Sequence, residues 1–171
     1  MITETNRTRR GAALAAVMAV GGAGYGGLAS ASTSHAGWPK IDGKLVINRH
    51  DETTTLRGTP GKHNELLGGH GHDTIVAGDA GDVLWGDYKP SGQPETQADT
   101  IDGGSGKDFI YSSHGRNVIT SGGGPDQIHA HFGRGSITCT SRKPTVFLSH
   151  RSQKRYKLHG CPRISFKTVG H

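Results

Sequence analysis

Apolar residues recur at a fixed interval along the middle of the chain. Leu66, Ile75 and Leu84 are nine residues apart, and the same step links Ile101, Ile110, Ile119, Ile128, Ile137 and Val146. Between Leu84 and Ile101 the step is 17, so one copy carries eight extra residues. Each apolar residue sits inside a short strand-like phrase, and a Gly-rich stretch separates it from the next. In a three-residue strand the middle side chain points to one face. Six turn residues then reverse the chain. Each copy therefore makes half a coil, and stacked coils line up the Ile and Leu side chains as a ladder. The predicted fold class is all-β: a parallel β-roll (β-solenoid) of nine-residue repeats with N- and C-terminal caps.

The polar positions are as regular as the apolar ones. Gly68–Val76 reads GGHGHDTIV and Gly103–Tyr111 reads GGSGKDFIY; Ser121–His129 (SGGGPDQIH) and Ala77–Trp85 (AGDAGDVLW) are worn copies. The phrase is Gly-Gly-x-Gly-x-Asp. Gly68, Gly69, Gly71, Gly103, Gly104, Gly106, Gly122 and Gly124 let the backbone turn and pass close to an ion. Position six reads Asn64, Asp73, Asp82, Asp99, Asp108, Asn117, Asp126, Gly135 and Pro144. Alternate copies share a flank, so Asn64, Asp82, Asp108, Asp126 and Pro144 stack on one side, and Asp73, Asp99, Asn117 and Gly135 on the other. One aliphatic residue per half coil makes a thin core, and ordering a Gly-rich chain is entropically costly. A hard cation, which takes carboxylate and backbone carbonyl oxygens, would hold the turns together. The alternative is that these Asp residues only shape turns.

On these motifs the repeats resemble the hemolysin-type calcium-binding nonapeptide (RTX) family over residues 58–147. The resemblance implies a β-roll with Ca²⁺ between turns stacked on the same flank. Asp73, Asp82, Asp99, Asp108 and Asp126, with the glycines named above, are then the metal-binding residues. Carboxylates face one another in the pairs Asp82/Asp108, Asp108/Asp126 and Asp73/Asp99, which implies two or three ions. Asp108 serves two of them. Asn117 and Gly135 leave the C-terminal half of the second flank without a pair.

Composition and charge add the surroundings. With 28 glycines and 32% hydrophobic residues the chain could be disordered, but the strict period argues against this for the repeats. Residues 1–31 read as a secretion signal peptide: Arg7, Arg9 and Arg10 precede an apolar run, and Ala29-Ser30-Ala31 is a cleavage pattern. A membrane anchor is the other reading of that run. After cleavage no stretch is long enough to span a membrane, and the expected location is extracellular. Residues 32–57 are expected to cap the roll. They carry a hairpin-type turn at Asp42-Gly43 and strands at Lys44–Asn48 and Thr53–Leu56. The repeats hold ten acidic and five basic residues from Gly58 to Thr138. From Cys139 to His171 there are eight basic residues and no acid.

Cys139 and Cys161 are the only cysteines, and in an exported chain such a pair suggests a disulfide. Residues 148–171 are expected to form a basic, disulfide-linked cap, with strands at Thr145–Ser149 and Arg163–Lys167 and a basic loop through Arg151, Lys154, Arg155 and Lys157. That loop suits an anionic cell-surface polymer or polysaccharide more than nucleic acid. The insertion at residues 86–98 is polar and is expected to be a surface excursion. Position nine on the first flank stacks Leu67, Trp85, Tyr111, His129 and Phe147, a stripe that is either a covered ladder or a surface for sugar. The 11 histidines match no metal-ligand spacing, and no HExxH, GxSxG or nucleophilic-cysteine motif is present. The sequence points to a calcium-binding scaffold, with an adhesion module as the alternative and no enzyme activity expected.

Overall fold

A computed structural model describes residues 37–89, 92 and 94–168. The secretion signal expected at residues 1–31 lies outside the described residues. The fold is a stack of short parallel strands in two facing sheets. One sheet has the order β1 (Leu45–Ile47), β3 (Glu65–Leu67), β5 (Val83–Trp85), β7 (Phe109–Tyr111), β9 (Gln127–Ala130), β11 (Thr145–Leu148) and β13 (Arg163–Ser165). The other runs β2 (Thr55–Arg57), β4 (Thr74–Val76), β6 (Ala98–Asp102), β8 (Arg116–Thr120), β10 (Arg134–Thr138) and β12 (Tyr156–His159). Every pairing is parallel and every neighbour is one full coil away. This is the β-solenoid of about seven turns that the nine-residue beat predicts.

The register places like positions on like positions. Leu66 pairs with Leu84, Leu84 with Ile110, and Ile110 with Ile128 in the first sheet. Ile75, Ile101, Ile119 and Ile137 do the same in the second. These side chains are fully or almost fully buried and face one another as a single narrow core. Parallel strands bury both faces only when something covers the outside. Here the outer face of the first sheet is covered near its start: Trp38 and Ile41 pack on Val83, Phe109, Tyr111 and Trp85.

Both terminal segments, expected as caps, contribute coils to the same stack. β1 and β2 pair with β3 and β4, and β12 and β13 pair with β10 and β11. Two local expectations are corrected. Asp42-Gly43 makes no hairpin; both backbone N–H groups donate to the His63 carbonyl, and Asp42 Oδ1 accepts from His63 N at 2.8 Å, so this stretch runs along the next coil. The basic stretch 151–157 is not all loop. Tyr156 and Leu158 point inward from strand β12, and only Arg151–Arg155 bend around a short 3₁₀ turn at Ser152–Lys154. The inward Tyr156, at 6% exposure, explains the difference: it packs in register with Gly135 and donates its hydroxyl to the Phe132 carbonyl, while Leu158 continues the ladder beyond Ile137. Cys139 follows β10 and Cys161 follows β12; the two are joined, with Cα atoms 5.0 Å apart, and tie the last coil of the second sheet to the one before it.

Candidate metal sites between stacked turns

The turns lie on two flanks of the roll. On the first, the Ala77–Asp82, Gly103–Asp108 and Ser121–Asp126 turns stack; on the second, the Gly68–Asp73 turn stacks with the longer turn that ends at Asp99. Stacking is tight enough to require glycine. A Cβ on Gly124 would stand 1.1 Å from the Gly106 carbonyl oxygen, and one on Gly122 1.7 Å from that of Gly104. Gly68, Gly69, Gly71, Gly103, Gly104 and Gly106 sit in the equivalent turns, ahead of β4 and β7.

The position-six carboxylates point into the stack. Asp73, Asp82, Asp99, Asp108 and Asp126 are each no more than 1% exposed. One oxygen of each reaches the coil before it. Asp82 Oδ1 accepts from Asn64 N, Asp108 Oδ1 from Asp82 N at 2.7 Å, and Asp126 Oδ1 from Asp108 N at 3.0 Å. On the other flank Asp99 Oδ1 accepts from Asp73 N at 3.0 Å. The sequence brings these residues together by period alone, because residues one coil apart share a register.

The second oxygens divide the set. Those of Asp73 and Asp82 accept from Gly69 N at 3.0 Å and Gly78 N at 2.6 Å. Those of Asp99, Asp108 and Asp126 are buried with no hydrogen-bond partner. A buried carboxylate oxygen without a partner is costly. Burial pushes the Asp108 carboxyl up to about 9, with the Asp126, Asp82 and Asp102 charges adding to it and the Asp82 N–H opposing. Burial likewise raises Asp99 to about 6, and raises Asp73 and Asp126.

The donor set decides what can sit there. No group of three or more His, Cys, Asp or Glu converges among the described residues. A site between turns would combine two carboxylates with backbone carbonyls, an all-oxygen set that suits Ca²⁺ and not a softer metal. The orphaned oxygens of Asp108 and Asp126 fit such an ion best. The pairs Asp82/Asp108 and Asp73/Asp99 each bring one orphaned oxygen.

Residues 61–87 and 96–128 match the RTX calcium-binding nonapeptide repeat, in 4 copies. The chain carries RTX repeats. No curated protein and no solved structure matches it. The RTX match covers the turns that hold all five Asp residues, and leaves the ends of the roll outside it.

Where the run of Asp residues stops, neutral donors close the turns. Asn117 Nδ2 donates to the Ser113 and Gly115 carbonyls and to the Tyr156 hydroxyl. Asn64 Nδ2 donates to the Thr59 and Lys62 carbonyls. After Asp126 the hydroxyls of Thr140 and Ser141 donate to the Gly122 and Gly124 carbonyls. Where position six is Asn, the amide turns its own N–H groups on the turn carbonyls; where it is Asp, no such donor exists.

Sequence reasoning missed two buried acids. Asp87, 6% exposed, opens the insertion at the place where sister turns carry Gly69, Gly78 and Gly104. Its carboxylate meets His70 Nδ1 at 2.7 Å and Gln97 Nε2 at 3.0 Å, so the ends of the insertion are pinned inside rather than free on the surface. An acid at a glycine position was the available signal. Glu65, 4% exposed, stands in register with Leu45 and Val83, with its pKa raised by burial; only its place in β3 marks it.

The position-nine stripe is a ladder. Trp85 stacks on Tyr111 at 4.1 Å, Tyr111 on His129 at 4.6 Å, and His129 on Phe147 at 4.8 Å, all within 12° of parallel. Trp38 meets both Trp85 and Tyr111 edge-on and donates Nε1–H to the Tyr111 hydroxyl. Both faces of Tyr111 and His129 are taken by stacked neighbours, which favours a covered ladder in the middle of the stripe.

Proposed function

We propose that this is a secreted protein that binds Ca²⁺ between its RTX turns and completes its folding outside the cell. The observation that carries the reading is the set of partnerless buried oxygens on Asp99, Asp108 and Asp126. Ca²⁺ would be held by Asp82, Asp108 and Asp126 on one flank and by Asp73 and Asp99 on the other, with carbonyls of the glycine turns. Bound there, the ion neutralises facing carboxylates and ties successive coils together. The protein's own part is positional. Glycines keep the coils close, and N–H groups of the preceding coil fix one oxygen of each Asp. On Asp99, Asp108 and Asp126 the other oxygen is left for the metal.

The amide and hydroxyl donors at Asn64, Asn117, Thr140 and Ser141 support a metal-bound middle between ion-independent ends. The disulfide Cys139–Cys161 and the signal-like residues 1–31 support export into an oxidising, calcium-rich space. The scaffold has no catalytic constellation in this reading. A second reading, adhesion, is supported by the basic C-terminal coils, which offer a surface for an anionic cell-surface polymer or polysaccharide.

The test is far-UV circular dichroism of the disulfide-intact chain in EGTA and with rising Ca²⁺ or Mg²⁺. A β signal and melting transition that Ca²⁺ produces at about 10⁻⁴–10⁻³ M, and Mg²⁺ does not, supports the proposal. A chain fully folded in EGTA and indifferent to Ca²⁺ sinks it.

A further inference from the structure

The second sheet carries an uninterrupted row of like charge on its outer face. In register, Arg116 opposes Arg134. Gly135 opposes Tyr156, which sets Arg134 against Arg155, and Gly135 N donates to the Arg155 carbonyl. Three arginines thus follow one another on consecutive coils, at a strand spacing of about 4.8 Å. Like charges directly opposed on neighbouring strands destabilise a sheet. Among the described residues no carboxylate pairs with them. The ion pairs among the described residues are made by Lys62, His70 and Lys89, all elsewhere. Arg134 donates to a backbone carbonyl, that of Glu95, at 3.1 Å.

The row borders a groove. Arg116, Arg134, Gly135, Ser136, Arg155 and Lys157 line a depression of about 450 Å³. Its floor is small because the outward residue of β10 beside Arg134 is Ser136, in register with Val118 and Lys157. Its walls are cationic, and all four basic residues are exposed. A guanidinium offers a flat fork of donors to an oxyanion, often two bonds at once. Three such forks in line with the roll axis, above a small polar floor, suit a linear chain with regularly repeated anionic groups.

From this we infer that the groove on β8, β10 and β12 binds an acidic polysaccharide, with Arg116, Arg134 and Arg155 each taking a carboxylate or sulfate group of the chain. The inference rests on the adhesion reading above and moves its site from the exposed 151–157 stretch to the sheet face. Single-stranded nucleic acid is recognised by basic grooves with aromatic platforms for the bases. No aromatic residue lines this groove, so a polymer without bases fits better.

The experiment uses the disulfide-intact chain in Ca²⁺ and three probes: heparin as the sulfated arm, polygalacturonate as the carboxylated arm, and oligo-dT as the nucleic-acid arm. The triple variant Arg116→Gln/Arg134→Gln/Arg155→Gln is compared with Arg142→Gln/Lys143→Gln/Arg163→Gln, which removes equal charge from the same end. The groove variant should lose on the order of tenfold or more in affinity for one or both polysaccharides, and the control no more than about threefold. Which arm responds identifies the anion. Equal losses in both variants would reduce the effect to net charge and overturn the site. Tighter binding of oligo-dT, lost in the groove variant, would overturn the ligand class. The Ca²⁺ titration of the groove variant should be unchanged, so failure here is separable from failure of the calcium reading. If that titration moves, the single variant Arg134→Gln, read against Arg142→Gln on the same probes, decides the site.

Discussion

Asp108 sits between two carboxylates of its own kind, and its second oxygen has no partner. As the one residue shared by two candidate ions, it should be the most sensitive position in the chain. Asp108→Ala should raise the Ca²⁺ midpoint by about tenfold or more, the equivalent of about 1.4 kcal/mol per decade. Asp73→Ala, whose oxygens already have N–H partners, should move it by only about threefold on the same scale. Equal effects, followed by circular dichroism, would remove the special standing of the shared residue. The pH dependence belongs to the same atoms. Folded Asp99 and Asp108 titrate above the ordinary 3.8, at about 6 and about 9. A raised folded value means that the folded state holds more protons than the unfolded one. Their stabilising effect is therefore complete below pH 3.8 and is lost as pH rises through 6 and then 9. In EGTA, the chain should gain β signal on going from pH 8 to pH 5, with protons standing in for the ion. In excess Ca²⁺ the order should reverse, because the metal takes the deprotonated form. A metal-free signal that grows with pH would contradict the burial of these carboxyls.

Each turn works as an element because its neighbour lies directly against it. Gly124→Ala would put a methyl group 1.1 Å from the Gly106 carbonyl oxygen, and backbone cannot step aside as a side chain could. The coils must part, costing about 1–3 kcal/mol or more and separating the Asp108 and Asp126 turns. The variant should lose Ca²⁺ affinity and stability together. Pro125→Ala, beside it but exposed, should change neither, and a melt with and without Ca²⁺ distinguishes them. The last coil is held differently. Besides its pairing with β10, it is tied by the Cys139–Cys161 disulfide, which closes a separation of 22 residues. Reduction should cost about 3 kcal/mol by the loop-entropy estimate, and should free β12 and Tyr156 while leaving the Asp turns intact. Hydrogen exchange should then rise in residues 139–165 alone. Loss of protection across the whole roll would mean that the end coil supports the sites.

Across the whole molecule, what the sequence made legible was whatever repeats. The spacing of Leu66, Ile75, Leu84 and their successors determined strand positions, register and which Asp faces which, since a period needs no knowledge of tertiary contacts. The exceptions broke the period. Tyr156–His159 hid in a basic run, because the 3₁₀ turn at Ser152–Lys154 lengthens the step before it. Asp87 was obscured by the insertion, and the cover formed by Trp38 depends on a contact with Tyr111, 73 residues away. Nor does a period reveal which side-chain oxygens are left over; that emerged only from the hydrogen bonds. Those bonds lead to a count of ions. Asp pairs exist at Asp82/Asp108, Asp108/Asp126 and Asp73/Asp99, and each end of the array is closed by an amide or hydroxyl, the one before Asp73 by Asn48 Nδ2, which donates to the Glu52 carbonyl and to Asp73 Oδ1. Calorimetry should therefore find roughly three Ca²⁺ ions, each needing carboxylates from both turns. Asp126→Ala should remove one ion and Asp108→Ala two. Asn117→Asp is the sharper test. It withdraws the N–H groups from the Ser113 and Gly115 carbonyls and sets a carboxylate beside Asp99. If the amide occupies the place of a cation, this change should add one ion and make the end of the second flank Ca²⁺-dependent. If the count stays the same and the variant is merely less stable in Ca²⁺, the amide is an ordinary turn bond, and the boundary of the metal array is set by something other than position six.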